Sequence, residues 1–348
     1  MVKPTMMKVK ADIVKYRLPL KHPIAVNQHS ISEREGLILC LQAGDRFGYG
    51  DIAPLPGFSR ETLKEAEKQL LSFCSAVNAK ESLQDIENLS FLQNFSLMPS
   101  VSFGIESALW WLKQDHWLPQ QPSIPLLQGD IQKIVDRLKH WQGERQDAWQ
   151  GKWPAEFKVK TGRHLRDDDV FRIHQILQIL PDSVSIKLDA NRQWSFDQAC
   201  AFAEALKDAI DVQRIAFVEE PTVCVDDFTT LYDKTGLRFA LDETVQEQGF
   251  TVQPMSGLAA IIIKPTLVGG LKRCQALIES ARQHGIRAMI SSSYESVIGL
   301  HILYQLSARW IPEELPGLDT ASVFRQRLII GDVSASGAID FDPTCCER

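Results

Sequence analysis

Apolar segments alternate with amphipathic segments along the second half of the chain, and the apolar segments end on charged or polar residues. Six of them are predicted to be β-strands: FKVK (157–160), VSIKLDAN (184–191), IAFVEEP (215–221), RFALDE (238–243), AAIIIKP (259–265) and RAMISSS (287–293). The predicted crossover helices are Phe171–Leu180, Phe196–Ala209, Val225–Tyr232, Leu271–His284 and Ile298–Ala308. Strands that alternate with helices are typical of a parallel α/β sheet.

The polar residues at the strand ends recur at the interval that one strand, one helix and two loops require. These residues are Lys160, Asp189, Glu219, Asp242, Lys264 and Ser291, and they are 29, 30, 23, 22 and 27 residues apart. Such a repeat is typical of a (β/α)₈ barrel of about 250 residues, in which the carboxyl ends of the strands meet at one mouth. The pattern therefore predicts an α/β protein with a modified TIM barrel.

The pattern before the barrel is different and predicts an α+β capping domain. Its predicted parts are strands at 7–19 and 35–43, a turn at Gly44-Asp45, the loop GYGDIAPLPGF, a helix with Ser59 as its N-cap and a second helix at 101–114. We predict a capping domain at 1–120 and the barrel at 121–315. Residues 316–348 are predicted to return to the capping domain.

Composition narrows the classes of partner. The chain has 348 residues, 44% hydrophobic and 24% charged, which is ordinary for a globular protein. A net charge of −6 argues against a nucleic-acid partner. The sequence has no apolar run of about 18 residues and no secretory signal, so we expect no membrane partner and a cytoplasmic location. Seven cysteines without a CxxC motif indicate reduced thiols. Oligomeric state stays open, and a monomer is compatible with the sequence.

Three acidic residues end successive predicted strands, and this arrangement indicates a metal site. Asp189, Glu219 and Asp242 each follow largely apolar residues, so each is predicted to lie at the edge of a buried strand. Converging carboxylates in such a place repel one another unless a cation neutralises them. Carboxylate oxygens suit Mg²⁺, and the absence of a His or Cys cluster disfavours zinc. Periodicity leaves open which residue of each pair Glu219-Glu220 and Asp242-Glu243 faces the metal.

Lysines are the candidate acid/base groups. Lys158 and Lys160 are two residues apart on one strand, so their side chains point to the same side. Two ammonium groups in a partly dry site lower each other's pKa. A lysine whose pKa falls from about 10.4 to about 7–8 is an effective general base at neutral pH. Lys264 ends AAIIIKP and is predicted to lie opposite Lys160 across the mouth.

Small polar residues at the same mouth are the candidate substrate-binding groups. The Gly pair that begins at Gly269, and the serines Ser291, Ser292 and Ser293, are expected to expose backbone N–H groups to an anionic group of a small-molecule carboxylate substrate. Asn191 ends VSIKLDAN and is a further candidate for binding this substrate.

The order of these motifs resembles that of the muconate-lactonizing subgroup of the enolase superfamily. The matching motifs are KxK, LDAN, EEP, DE and KPTLVGG. The segments GYGDIAPLPGFSRETLKEA, ISSSYESVIGL and PGLDT narrow the resemblance to the proteobacterial o-succinylbenzoate synthases. The resemblance covers nearly the whole chain.

This resemblance implies a Mg²⁺-dependent lyase (a hydro-lyase) that forms 2-succinylbenzoate in menaquinone biosynthesis, with the three carboxylates as metal ligands. It makes Lys160 the base that removes the proton α to the substrate carboxylate and then protonates the departing hydroxyl. Lys264 would stabilise the anionic intermediate, and Lys158 would support Lys160. Lys187 departs from the family pattern, since an arginine is expected two residues before Asp189.

Other activities of the same subgroup are the alternatives. A dipeptide epimerase or N-acylamino acid racemase would use both lysines on opposite faces of one α-carbon. Dipeptide epimerases carry a late acidic DxD pattern, whereas the corresponding zone here reads SSSYES and PGLDT. Muconate cycloisomerase fits the PLPGFS loop poorly. A non-catalytic binding barrel is the alternative from a different class, and a metal-dependent turnover assay separates it from an enzyme.

Overall fold

The computed structural model describes residues 8–26, 29–79, 95–141, 149, 152–163, 165–331 and 338–347. The strands are β1 Val9–Val26, β2 His29–Ala43, β3 Arg46–Ile52, β4 Leu126–Leu127, β5 Glu156–Lys160, β6 Ser185–Asp189, β7 Ile215–Glu219, β8 Phe239–Leu241, β9 Leu258–Ile263, β10 Arg287–Ile290, β11 Ile329–Ile330, β12 Asp340–Phe341 and β13 Cys346–Glu347. The α-helices are α1 Leu63–Asn78, α2 Pro99–Leu112, α3 Ile131–Lys139, α4 Arg166–Ile179, α5 Phe196–Ala209, α6 Asp227–Thr235, α7 Pro265–Val268, α8 Leu271–Gln283 and α9 Val297–Trp310. Short 3₁₀ helices are Val212–Arg214, Glu243–Gln246 and Ala321–Val323.

The N-terminal part is an antiparallel sheet of order β13-β1-β2-β3. Buried residues alternate with exposed ones along much of β1, because one face of the sheet covers a core and the other faces solvent. Both long strands extend well beyond the predicted 7–19 and 35–43, and Met7 lies outside the described residues. The predicted loop GYGDIAPLPGF is also corrected, since GYGDI belongs to β3 and pairs with β2. Cross-strand pairing continues through Glu33, Arg34 and Glu35, where periodicity alone gave no strand signal.

The two helices of this part begin where side-chain caps allow. Thr62, not the predicted Ser59, is the N-cap of α1, because its hydroxyl accepts the Glu65 N–H while the Glu65 carboxylate accepts the Thr62 N–H. Ser59 instead accepts the Leu55 N–H within the preceding loop. Helix α2 packs on β3 so closely that a Cβ at Gly50 would lie 1.7 Å from a backbone oxygen of the helix. Glycine is therefore required at that contact.

The second part is a seven-stranded parallel sheet of order β10-β9-β8-β7-β6-β5-β4. All six residues of β9 are buried, as expected for a parallel strand with helices outside and side chains filling the barrel inside. Residues 316–318 contact both edges of this sheet: Gly317 bridges to Ser291 beyond β10, and Pro316 accepts the Ile124 N–H ahead of β4. The predicted modified TIM barrel is confirmed, and we propose that its unit extends to 318 rather than 315.

Three helices, α4, α6 and α9, have boundaries that differ from the predicted ones. Helix α4 begins at Arg166 rather than Phe171, because its first turn is polar and the apolar periodicity starts only at Val170. Helix α6 continues to Thr235, where Gly236 in a left-handed conformation (φ 69°) ends it. Helix α9 likewise extends one residue before and two beyond the predicted 298–308.

The C-terminal residues return to the N-terminal sheet. Strand β13 pairs with β1 through Cys346 and Tyr16, and the Arg17 N–H donates to Cys345. Among the described residues, no helix is both long and apolar enough to cross a membrane.

Candidate active site

The strand register brings the predicted charged residues to one edge of the barrel. Lys160 lies beside Asp189, and Asp189 lies beside Glu219, in successive parallel pairs. Asp242 follows β8 two residues beyond Ala240, the register partner of Glu219. Successive side chains along a strand point to opposite faces, whereas register partners on neighbouring strands, and residues two apart on one strand, point to the same face. The side chains of Lys160, Asp189, Glu219 and Asp242 therefore all point into the barrel. Lys264 directly follows β9.

Ammonium groups contact each of the three predicted metal-binding carboxylates. Lys158 Nζ is 2.8 Å from Asp189 Oδ2 and 2.5 Å from Glu219 Oε2. Lys160 Nζ is 2.6 Å from the same Asp189 oxygen, and Lys264 Nζ is 2.6 Å from Asp242 Oδ2. The carboxylates are buried, while the lysines are partly open to the mouth. The predicted catalytic and metal-binding residues therefore form one cluster.

Burial and charge shift the pKa values of this cluster in different directions. Burial raises the pKa of Glu219 to about 7, and Asp189 and Asp242 add to the rise while Lys158 opposes it. Burial also lowers the pKa of Lys160, with a further contribution from Lys158 and opposition from Asp189. The same burial acts on Lys158, but Asp189 and Glu219 outweigh it and raise its pKa. Lys158 thus lowers the pKa of Lys160 as expected, whereas the pKa of Lys158 itself is raised by its carboxylate partners.

The two Glu residues of EEP have separate roles, which periodicity left open. Glu219 points into the cluster, whereas Glu220 points away and accepts the backbone N–H groups of Asp242 and Thr244, each at 2.9 Å. Arg192 donates to the other Glu220 oxygen at 2.7 Å. Glu220 therefore fixes the backbone that presents Asp242. Sequence reasoning missed Arg192, although its place directly after LDAN was a usable signal.

Asn191 and Glu243 complete the rim beside Lys160. Asn191 Oδ1 accepts from Lys160 Nζ at 2.8 Å, and Asn191 Nδ2 donates to Glu243 Oε1 at 3.3 Å. Burial raises the pKa of Glu243 to about 7, and Asp242 adds to this shift. Both members of the Asp242-Glu243 pair therefore face the same mouth. A substrate-binding role for Asn191 stays a prediction.

Lys187 points into the barrel but away from the mouth. Lys187 is the register partner of Lys158, but its side chain turns towards the opposite end of the barrel. Its Nζ lies 2.6 Å from Glu156 Oε2 and 2.9 Å from Met289 Sδ. Arg287 contacts the same Glu156 carboxylate through two hydrogen bonds of 2.8 Å. Lys187 therefore belongs to a buried ionic network at the base of the barrel and leaves Asp189 to the other two lysines.

The predicted anion-binding N–H groups already have acceptors inside the protein. The Gly269 N–H donates to Pro265, the Ser291 N–H to Ile263 and the Ser292 N–H to Gly317. The Ser293 N–H donates to the Glu295 carboxylate at 2.7 Å. The expectation that these four N–H groups are exposed to a substrate anion is wrong, because each of them already has an acceptor within the fold. A substrate-binding role for Ser291, Ser292 and Gly269 through other atoms stays a prediction. A Cβ at Gly269 would lie 2.9 Å from Pro99 Cα, so close packing on α2 accounts for this glycine.

The capping domain contributes to the mouth through the loop that follows β3. The Phe58 ring centroid lies 5.8 Å from Lys264 Nζ, within range of a cation–π contact. Arg60, in the same loop, donates to the Gln246 carbonyl at 2.6 Å, and Gln246 lies four residues after Asp242. The site is therefore built by both domains.

The three carboxylates at the mouth have the donor chemistry that a divalent cation requires. Three carboxylates end adjacent strands, and Asp189 Oδ1 is buried with no hydrogen-bond partner in the described chain. Oxygen donors of this kind suit Mg²⁺. Within the described ranges, no three His, Cys, Asp or Glu side chains are already close enough together to coordinate a metal ion. The carboxylate oxygens of Asp189, Glu219 and Asp242 are instead in contact with lysine ammonium groups. The residues fit the ion by chemistry and by strand position.

Comparison with known proteins identifies the family. A family model described as "MenC, N-terminal domain" matches residues 8–112, and one described as "Enolase C-terminal domain-like" matches residues 144–336. An o-succinylbenzoate synthase of Aliivibrio fischeri (strain MJ11) is 36% identical over 321 residues, 91% of this chain and 92% of that protein. The chain belongs to the o-succinylbenzoate synthase family. A relative of the same name from Pectobacterium atrosepticum is 36% identical over 92% of this chain and 93% of that protein.

Solved structures support the fold at lower identity. The o-succinylbenzoate synthase from Thermosynechococcus elongatus BP-1, complexed with Mg in its active site, superposes with a TM-score of 0.70 at 22% identity, covering 92% of this chain and 95% of that one. A dipeptide epimerase from Enterococcus faecalis V583 superposes with a TM-score of 0.73 at 18% identity, covering 97% and 98%. Synthase and epimerase share one architecture, so the fold does not choose between them.

Proposed function

We propose that this protein is a Mg²⁺-dependent o-succinylbenzoate synthase. It dehydrates 2-succinyl-6-hydroxy-2,4-cyclohexadiene-1-carboxylate to 2-succinylbenzoate in menaquinone biosynthesis. One observation carries the proposal: in a chain of this family, Lys160 and Lys264 contact a cluster of three strand-end carboxylates at the barrel mouth. The Mg²⁺ named for a structural relative supports the choice of ion.

In this proposal Asp189, Glu219 and Asp242 would hold the metal. When bound, Mg²⁺ would supply positive charge beside the substrate carboxylate, which lowers the cost of the negative charge that builds up there. Glu220 keeps Asp242 in place through the backbone hydrogen bonds described above. Asn191, which accepts a hydrogen bond from Lys160 Nζ, would then lie beside the reacting side of the substrate.

Lys160 performs both proton transfers in the proposed reaction. Its neutral amine takes the proton from the ring carbon that bears the carboxylate, and the electron pair of that C–H bond moves into the carboxylate. The same ammonium then gives the proton to the hydroxyl on the neighbouring carbon, while the electron pair returns from the carboxylate to form a double bond between the two ring carbons and the C–O bond breaks. Water leaves and the ring becomes aromatic. Because one group acts twice, the elimination is syn.

Lys264 and Lys158 act through charge. The ammonium of Lys264 stabilises the anion formed after proton removal, from a strand that lies four places from β5 in the sheet. Lys158 contacts Asp189 and Glu219, and Asp189 also contacts Lys160, so the charge of Lys158 supports Lys160 through this shared carboxylate. An N-acylamino acid racemase or dipeptide epimerase is the second candidate, because two lysines on separate strands allow protonation from either face.

The test is turnover with and without metal. The purified protein should convert the cyclohexadiene substrate to the aromatic product, followed by ultraviolet absorbance. Activity should vanish after exhaustive chelation and return with Mg²⁺. Dipeptides and N-acylamino acids form the comparison panel. Efficient epimerisation with negligible aromatisation would overturn the synthase and favour the second candidate, and full activity of the chelated protein would refute the metal site.

A further inference from the structure

Arg34 is a buried cation that bonds to both domains. It lies on β2 and is only 2% exposed. Two of its hydrogen bonds go to the loop after β3, at Ala53 (2.5 Å) and Pro54 (2.8 Å). Two others go to the turn after β10, at Ser293 (3.3 Å) and Tyr294 (3.2 Å). One guanidinium thus ties a capping-domain loop to a barrel turn through four carbonyl oxygens.

The two segments that Arg34 joins carry aromatic rings at the mouth. Phe58 follows the first segment and lies against Lys264, as described above. Tyr294 belongs to the second segment, and its pKa, raised by burial, is also influenced by the charge of Lys264. Both rings pack on the same small apolar cluster, which includes Leu55 and Leu267. They form a wall beside Lys264 to which each domain contributes one ring.

Tyr294 needs external support because its backbone is strained. Its φ of 61° lies in the left-handed region that bulky side chains rarely adopt. Such a conformation persists only where the surroundings over-determine it. The neighbouring Glu295 carboxylate fixes one side of the turn by accepting the Ser293 N–H and the Thr266 hydroxyl. Arg34 fixes the other side by donating to Tyr294 itself.

We propose that Arg34 is a positioning residue that sets the separation of Phe58 and Tyr294 and so shapes the substrate wall beside Lys264. A guanidinium suits this task because donors on three nitrogens in one rigid plane reach acceptors in two directions. A lysine places all its donors on one nitrogen and cannot span both segments. The effect on substrate rests on the proposed function, whereas the effect on the two segments does not.

The test compares Arg34→Lys with Arg214→Lys. Arg214 is a matched control, because it also donates to four carbonyl oxygens, at the end of α4 and ahead of β6: those of Leu177, Leu180, Pro181 and Val184. Its partners lie outside the candidate site. Arg34→Gln is the second Arg34 variant in case the lysine variant fails to fold.

Two readouts separate positioning from general stability. Hydrogen–deuterium exchange should quicken in residues 53–58 and 291–296 together for the Arg34 variants, and in neither segment for Arg214→Lys. KM for the cyclohexadiene substrate should rise about tenfold with a smaller change in kcat, since small misplacements at a binding wall are costly. Combining Arg34→Lys with Phe58→Ala should raise KM by less than the product of the two separate effects.

The proposal is overturned if exchange in the two segments stays at the wild-type rate. It is also overturned if the effects of Arg34→Lys and Phe58→Ala on KM simply multiply. Absence of wild-type turnover would refute the proposed synthase activity, and the exchange measurement would still decide the role of Arg34.

Discussion

Lys160 contacts Asp189 and Asn191 through one ammonium nitrogen at the mouth of the barrel. If it is the base, Lys160→Ala should lower turnover by about 10³-fold, the usual size of a general acid–base contribution. It should also abolish exchange of the substrate α-proton with solvent deuterium, measured by NMR in D₂O. Lys207→Ala, on the exposed last turn of α5, is the control and should behave as wild type. Exchange at the wild-type rate in Lys160→Ala would assign the base to another residue.

Asp51 is a buried carboxyl group between the two domains, bonded to the Tyr16 hydroxyl and the Ser296 N–H. Burial raises its pKa from 3.8 to about 6, with Glu295 adding to the effect. The native state therefore holds this proton more tightly than the unfolded chain. Its stabilising contribution is complete below about pH 3.8 and is lost as pH rises through 6, a change of about 3 kcal/mol.

Asp51→Asn should remove this dependence on pH. The free energy of unfolding of the wild type, relative to the variant, should fall between pH 4 and pH 7 in urea titrations. Asp182→Asn changes the same charge at a fully exposed site and controls for net charge. A constant difference between Asp51→Asn and the wild type across this range would contradict the assignment.

Helix α1 shows how a local cap defines an element. Thr62 and Glu65 form a reciprocal capping box, whereas Ser59 caps no helix. Thr62→Ala should lower the free energy of unfolding by about 1 kcal/mol, because an N–H at the helix start loses its acceptor. Ser59→Ala is the comparison and should leave the helicity of α1 unchanged. Equal loss of helix by circular dichroism in both variants would argue against Thr62 as the cap.

The sequence pattern predicted the positions of the barrel strands well and the lengths of the N-terminal strands and some helices poorly. Strands β5 to β9 were located to within two residues and the end of β10 to within three, because their apolar runs are bounded by polar residues. The long strands β1 and β2 were underestimated, because pairing with each other extends them through polar positions. Helix α4 began earlier than periodicity indicated, because its first turn carries acidic residues rather than apolar ones.

At the scale of the molecule, Arg287 ties the two sides of the barrel base together. It makes bidentate contacts with Glu156 on β5 and with Glu314 after α9. Arg287→Met should lower the free energy of unfolding by about 3 kcal/mol, since Glu314 and Glu156 both lose two hydrogen bonds, although Glu156 keeps its contact with Lys187. This loss is at the low end for a buried pair because the Arg287 side chain is 35% exposed.

Arg282→Met is the matched control for this prediction. Arg282 pairs with Glu279 and Glu313 at the exposed surface, where ion pairs contribute little. Urea unfolding should therefore distinguish the two variants clearly. Similar losses for both would mean that the base network does not stabilise the barrel.

The alternation of apolar and amphipathic segments was enough to predict the modified barrel and the edge at which its charged residues meet. The reason is local: period and side-chain type define each strand, and parallel strands place their carboxyl ends at one edge. Lys160, Asp189 and Glu219 were therefore brought together by register alone.

The sequence pattern does not show which polar groups are free and which are already bonded, because this depends on contacts between distant segments. Glu219 rather than Glu220 faces the cluster, and the N–H groups of Ser291 and Ser292 are consumed within the fold. Arg34 lies about 260 residues from the turn it holds, so no local pattern marks it. Hydrogen bonds between distant segments depend on how the two domains pack, and the order of polar and apolar residues along the chain does not specify that packing.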